Sequence, residues 1–529
     1  MISSRTPGRA VLLPPPAATP EPDSTGVRPG FAWRGVLLVS GVITLVWSVS
    51  AARYQLAGDE LYYLACGRRL AVDYVDNGPV IPLIARLCDL IAPGSVLALR
   101  IPGLLLLILV SVLTAAVAYE LGARPRVQML AAAGYACSPF VVAYTVLDSV
   151  AFDVACQASI IWMLVRWVRV RHDRLLLGVG VAAAIDVQDK WLILLLTACV
   201  GLAVLVAGPR EILRRPALWL GLLIFAVAMT PALLWQASRD WPQLATNAAI
   251  AKETAGSDGG QLGTILAIMI TTGFLGGGLG VLGLYGLARK LRPYRFVLIA
   301  AALMLILVVG GHGRSYYVAG IVPAIFGAGA ATLSGFLEPG ADRRILWRRL
   351  FTGLVVLSTV LTAFLAMLPY PKSKIAVTNN GYWGFIQHYG NDDWDELADA
   401  VHRVAIDLPV AEQPGTAVVA EAYNGAGALD HFRRYQWIPP VYSPNRGFSE
   451  FGPPPDSATT IVYVGYTNDS PEKRAFLANF AQTTLAAQLV DPLGIAGQNH
   501  AMSIYICRAP LVPLSVAWPK LTYMIVPPA

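Results

Sequence analysis

The sequence predicts a polytopic α-helical membrane protein of about 11 transmembrane helices, followed by a C-terminal extracytoplasmic α/β domain. Three observations carry that reading. The chain has 529 residues, of which 56% are hydrophobic and 14% charged, more apolar surface than a water-soluble fold of this size can bury. Apolar windows of roughly 20 residues, the length that crosses a hydrocarbon core about 30 Å thick, recur from Phe31 to Leu368. After Tyr370 the composition turns polar over a stretch of the size of one soluble domain.

Residues 1–30 are rich in Pro, Ser and Thr, with Pro14, Pro15 and Pro16 in succession. Such a segment lacks the apolar content to fold alone and is expected to be a disordered cytoplasmic tail. The membrane domain covers residues 31–370. Hydropathy assigns its spans to 31–50, 97–119, 127–147, 149–168, 175–188, 190–207, 217–235, 262–288, 296–311, 316–335 and 350–369. No small-residue cleavage site follows the first of them, which is therefore read as an uncleaved span.

An odd number of spans puts the two termini on opposite sides. With the N-terminus cytoplasmic, the inner loops hold Arg124 and Arg126, then Arg166, Arg169, Arg171 and Arg174, then Arg210, Arg214 and Arg215, then Arg289, Lys290, Arg292 and Arg295, and last Arg343, Arg344, Arg348 and Arg349. Every inner loop is then basic, as the positive-inside rule requires. The net charge of +7 thus reports orientation and not a nucleic-acid partner. The acids fall on the opposite side: Asp59, Glu60, Asp73 and Asp76 in the first outer loop, Asp148 after the third span, Asp186 and Asp189 after the fifth. A carboxylate at membrane depth costs about 2.5–3.5 kcal/mol and faces a wet cavity or a partner. An outward-facing acidic cavity is the expected site.

The first outer loop, 51–96, is too apolar for a solvated loop and too interrupted by Asn77, Gly78, Pro79 and Pro82 for a span. It reads as two interfacial helices, the second with Val80, Leu83, Ile84, Leu87 and Ile91 on one face. In the C-terminal domain, 371–529, the spacing predicts a helix from Asp393 to Ile406 and a helix start at Ser470-Pro471. Strands are predicted over Thr416 to Ala420, Thr459 to Val464 and Ser503 to Cys507. Asn468-Asp469-Ser470 matches the N-glycosylation pattern. The six cysteines show no CxxC spacing and are read as packing residues.

Several of these segments resemble one family. Gly58-Asp59-Glu60-Leu61-Tyr62-Tyr63 directly after the first span, Asp76-Asn77-Gly78-Pro79-Val80-Ile81-Pro82-Leu83 and Ala85-Arg86-Leu87 are similar to the first outer loop of glycosyltransferase family 39. That family holds the protein O-mannosyltransferases and lipid A aminoarabinose transferases, within the GT-C superfamily. Leu147-Asp148, Asp189-Lys190-Trp191, Arg314-Ser315-Tyr316-Tyr317 with Pro323, Gly425-Ala426-Gly427-Ala428-Leu429 and Gly452-Pro453-Pro454 extend the likeness over most of the chain. The C-terminal part is most similar to bacterial members of unassigned substrate. Relatives carry two prolines where this chain has Gly78-Pro79.

The resemblance implies a GT-C membrane fold and an inverting transfer of sugar from a polyprenyl-phosphate carrier to an acceptor hydroxyl at the outer face of the cytoplasmic membrane. The acceptor class, whether protein, lipid or polysaccharide, stays open. Chemistry then gives the residues their expected roles. A hydroxyl is a poor nucleophile until a carboxylate takes its proton, and Asp59 is the candidate base. Glu60 and Asp148 are expected to support Asp59 or orient the acceptor, with a helix cap at Ser149 as the structural alternative for Asp148. The charge on the departing lipid phosphate needs fixed cations and donors: Lys190, Arg314, Tyr316 and Tyr317. For Lys190, snorkelling to the interface is the alternative. His312, among Gly310, Gly311 and Gly313, reads as a solvated loop residue, with a contact to the phosphate as the alternative. No His or Cys cluster has metal spacing and no metal is assigned, although an acidic outer cavity has the charge to attract a divalent ion. The competing function classes are a lipid-linked sugar transporter and a non-catalytic scaffold. Transporters carry paired repeats and broken helices at the midplane, and a scaffold has no use for acids at membrane depth.

Overall fold

The computed structural model describes residues 30–256, 259–337, 341–364, 371–376, 393–490, 493 and 501–526. Apart from Gly30, the N-terminal tail expected to be disordered lies outside them. The membrane domain opens with α1 (Trp33–Ala51), the first-loop helices α2 (Gly58–Arg68) and α3 (Val80–Ile91), α4 (Val96–Glu120), α5 (Pro125–Ala136), α6 (Ser149–Val170), α7 (Arg174–Asp186) and α8 (Ile193–Ala207). It continues with α9 (Pro216–Ala237), α10 (Pro242–Gly256), α11 (Gly260–Arg289), α12 (Arg295–Gly310), α13 (Val322–Phe336) and α14 (Ala341–Thr362).

Among the described residues seven helical segments are long and apolar enough to cross a membrane; the other four expected places hold α5, α7, α8 and α14. The reasons are local. The expected span 127–147 breaks because Pro139 disfavours helical backbone before it: α5 stops at Ala136 and the chain resumes as a 3-10 turn, Pro139–Tyr144. α7 has 13 residues, about 20 Å at 1.5 Å per residue, too short to cross alone. α11 is two helices merged at Gly273, whose φ of 65° only glycine adopts readily; Ser358 Oγ accepts the Leu275 amide freed there, at 3.1 Å.

The basic loops gather at one end of the bundle. Glu120 at the end of α4 takes Arg166 at 2.5 Å and also Arg169, and Arg171 reaches Glu211 at 2.9 Å. The acids of the first loop lie at the other end, under the C-terminal domain.

That domain comprises α15 (Trp394–Ile406), β1 (Thr416–Ala420), α16 (Tyr423–Phe432), β2 (Val441–Tyr442), β3 (Thr460–Tyr466), α17 (Pro471–Leu477), β4 (Phe480–Val490), β5 (Ala501–Pro510) and α18 (Leu514–Leu521). The sheet runs β2-β1-β3-β5-β4. β1 is parallel to β2 and β3, with Val418 beside Val441 and Val462, whereas β5 and β4 are antiparallel additions. The three strands expected from the sequence are β1, β3 and β5. β2 is two residues long and β4 exposes most of its side chains, so neither presents the alternating apolar face by which a strand is read.

The α16 helix lies directly on α2. A methyl group at Gly427 would stand 2.9 Å from the Tyr62 amide nitrogen, so the glycine lets two backbones touch. At the far end of the contact Asp430 receives Arg68 at 2.5 Å and Arg69 at 2.8 Å. Burial pushes the Asp430 carboxyl up, but the two arginines outweigh it and hold it below its ordinary value.

Candidate active site

Between the outer-loop helices and the C-terminal domain lies a cavity of about 970 Å³, of the size that takes a substantial ligand. Asp59, Tyr62, Tyr63, Asp76, Asp148, Lys190, Tyr316 and Tyr317 line it, with Tyr423 and Arg446 from the C-terminal domain. Apolar side chains share the lining, among them Leu192, Leu194, Leu195, Leu307 and Val308.

Asp59 and Glu60 are adjacent in the first turn of α2, where consecutive side chains diverge by about 100°. Asp59 therefore opens into the cavity while Glu60 turns away into the protein. Tyr423 Oη donates to Asp59 Oδ1 at 2.5 Å. Glu60 is fully buried and absent from the cavity wall. It takes Arg100 Nε at 2.9 Å and Nη2 at 2.7 Å, and the amides of Ala57 at 2.8 Å and Leu147 at 2.9 Å. The Arg100 guanidinium also donates to the carbonyls of Ala51, Tyr54 and Gln55. This pair pins the start of the first loop to α4 and to the turn before α6. Glu60 thus positions Asp59.

Asp148 is both a cap and a wall residue: Oδ1 accepts the Val150 amide at 3.0 Å, and the side chain borders the cavity. Lys190 Nζ donates to Ser149 Oγ at 3.2 Å and stands 5.0 Å from the centre of the Tyr316 ring, so it points inward beside Asp148 and does not snorkel. Asp76 accepts from Tyr62 Oη at 3.1 Å, and burial raises its carboxyl above the ordinary carboxylate range.

The turn at Gly78 is set by a close approach. Its amide donates to the Asp189 carbonyl at 2.8 Å and that of Val80 to the Gln188 carbonyl at 3.1 Å. A Cβ at Gly78 would lie 2.0 Å from the Gln188 oxygen. The first loop is thereby fastened to the segment that carries Lys190.

Arg314 stands beside the cavity and not in its wall. Its guanidinium pairs with Glu253 on α10 at 2.7 Å. His312 departs from the solvated-loop expectation: with φ 53° it sits in the cavity wall, and its Nδ1 is buried without a hydrogen-bond partner.

Three cavity features lie beyond the sequence-derived set. Tyr423 opens α16, Arg446 opens the 3-10 turn Arg446–Phe451, and α10 forms a wall through Leu244, Thr246, Asn247 and Ile250. Burial raises the Tyr423 hydroxyl well above its ordinary value and Asp59 adds to the effect. Burial alone would lower Arg446, but Tyr423, Glu253 and Asp76 outweigh it and keep the guanidinium charged. The signal for Tyr423 was present in the sequence, immediately before the Gly425-Ala426-Gly427 segment; Arg446 carried none. Among the described residues no group of three or more His, Cys, Asp or Glu is arranged to hold a metal ion.

Residues 76–235 match the family model described as dolichyl-phosphate-mannose-protein mannosyltransferase. No curated protein sequence matches the chain. Among solved structures, ArnT from Cupriavidus metallidurans in the apo state is 14% identical with a TM-score of 0.58, covering 90% of this chain and 98% of its own. The same protein bound to undecaprenyl phosphate gives 13%, 0.57, 89% and 97%. The Archaeoglobus fulgidus oligosaccharyltransferase gives 13% and 0.51, covering 84% of this chain and 69% of that one. The chain shares their fold. Neither the family model nor these structures lend the transport alternative support.

Proposed function

We infer that this chain is a GT-C glycosyltransferase, and that it moves a sugar from a polyprenyl-phosphate donor to an acceptor hydroxyl at the outer face of the cytoplasmic membrane. The observation that carries this reading is the joint placement of Asp59, Asp148 and Lys190 in one cavity that leucine side chains also line. A lipid phosphate needs that pairing of a cation with a greasy surface. The family match over residues 76–235 and the likeness to an ArnT structure holding undecaprenyl phosphate support the same donor class.

Asp59 takes the acceptor proton as its oxygen attacks the anomeric carbon. Lys190 meets the phosphate charge that develops as the carrier departs, and the Tyr316 and Tyr317 hydroxyls supply further donors. Arg314 is neutralised by Glu253 and meets the phosphate only when that pair opens. Asp148 holds the start of α6 and borders the acceptor space. Base and leaving group occupy opposite faces of the sugar, so a single displacement inverts the anomeric centre. The basic end of the bundle faces the cytoplasm in this reading, and the C-terminal domain lies outside. No step requires a metal ion.

The test is transfer of labelled sugar from a panel of polyprenyl-phosphate sugars to cell-envelope extract by purified protein. Wild type is expected to form labelled product and folded Asp59→Asn to lose at least about 100-fold, the size of a general-base contribution. Full activity in Asp59→Asn removes Asp59 from the mechanism.

A further inference from the structure

Glu253 is held by an unusual set of partners. Its Oε1 accepts from Arg446 Nη2 at 2.6 Å and from the Val526 amide at 2.9 Å, and its Oε2 accepts from Arg314 Nη2 at 2.7 Å. The two arginines come from distant parts of the chain, one from the turn before α13 and one from the C-terminal domain. They converge on the two oxygens of a single anion. Guanidinium groups so placed are the arrangement that grips a phosphate.

The charge balance of the cavity sharpens the point. Its wall holds Asp59, Asp76 and Asp148 against Lys190 and Arg446, once Arg100 is assigned to Glu60. A phosphate entering that wall adds another negative charge. Release of Glu253 would turn two guanidinium groups toward it. The helix that carries Glu253 is joined to its neighbours through left-handed turns, with φ of 57° and 58° at Asp240 and Trp241 and of 73° and 61° at Gly259 and Gly260.

We propose that Arg314 and Arg446 form a binding site for the phosphate of the lipid-linked donor, and that Glu253 is its built-in occupant, displaced when the donor enters. The proposal rests on the lipid-phosphate reading above. It gives Arg446 a role in donor recognition and makes α10 the element that yields on binding.

The experiment measures binding of undecaprenyl phosphate, with undecaprenol as the uncharged control, to purified full-length protein in detergent. Glu253→Gln keeps the side-chain volume and removes the competing charge, so undecaprenyl phosphate is expected to bind about tenfold more tightly, in line with one charge-assisted hydrogen bond, while undecaprenol is unaffected. Arg446→Gln is expected to weaken undecaprenyl phosphate about tenfold, and Glu253→Gln/Arg446→Gln to lose most of the gain. Glu253→Ala serves as the second variant should the Gln protein fail to fold, with the same tightening expected. Unchanged or weaker binding by the folded Glu253 variants, with wild type binding normally, overturns the proposal and leaves Glu253 a brace. Failure of wild type and all variants to bind undecaprenyl phosphate overturns the lipid-phosphate reading itself, and the proposal with it.

Discussion

Removing the Glu60 carboxylate is the perturbation with the largest consequence that the geometry lets one work out. Glu60→Ala strands a guanidinium that is 2% exposed and strips acceptors from the amides of Ala57 and Leu147. Breaking a buried pair by deleting one partner costs about 3–5 kcal/mol, and the two orphaned amides place the total at the upper end of that range. Arg100 keeps its three carbonyl partners, so the loss is electrostatic and not a collapse of the loop. Replacing both charges, as in Glu60→Met/Arg100→Met, removes the uncompensated ion and is expected to recover much of the stability. The assay is denaturant unfolding of purified protein in detergent for the single and double variants, followed by donor turnover. If Glu60 positions Asp59, turnover in the double variant stays low even where stability returns, because the bonds that fasten the first loop are gone. Equal stability of Glu60→Ala and wild type refutes the account of the pair. Full turnover in a stable double variant refutes a positioning role for Glu60.

Other consequences follow from single contacts. Lys190→Met removes the cation beside Asp148 and is expected to lower kcat/KM for the lipid donor about 100-fold, the scale of one charge-stabilising donor, measured as initial transfer rates. Gly78→Ala forces the loop off the Gln188 carbonyl and is expected to cost about 1–3 kcal/mol, and Gly78→Pro more because it also removes the amide bonded to Asp189; unfolding midpoints check both. Burial raises Asp73 from 3.8 to about 7, against the lowering effect of the Gln236 amide. The folded form therefore holds this proton to higher pH than the unfolded chain, so the stability it contributes is full below about pH 4 and is lost as pH rises to about 7. Asp73→Asn is expected to flatten that fall in a stability-versus-pH profile, and an unaltered slope refutes the assignment.

The membrane domain was legible because hydropathy is a local signal: the windows at α1, α4, α6, α9, α11 and α12 land within a few residues of their helices. The failures are local as well. Ser138-Pro139 cut one expected span, and a thirteen-residue helix cannot cross by itself. Asp59 and Asp148 are legible because the acids collect on one side of the charge pattern, and Lys190 because Asp189-Lys190-Trp191 carries the family resemblance. For Glu60 the sequence leaves open whether it supports Asp59 or orients the acceptor, because adjacency hides the angular divergence of neighbours on a helix; its burial against Arg100 favours support. Helix α10 escaped because Pro242–Gly256 is mixed in polarity and lies between two spans, where only tertiary contact gives it a place. Arg446 escaped for the same reason: the turn after β2 brings it into the cavity that Asp59 lines, and no spacing rule reaches that far.

The most direct test of the central claim follows both halves of the donor at once. A polyprenyl-phosphate sugar labelled in the sugar and in the lipid phosphate is presented, with envelope acceptor, to protein reconstituted in liposomes. The account predicts that wild type releases one lipid phosphate for each sugar delivered, that the new linkage has the inverted anomeric configuration, and that Asp59→Asn does neither. Donor that crosses the bilayer intact, with no sugar delivered to acceptor, contradicts it.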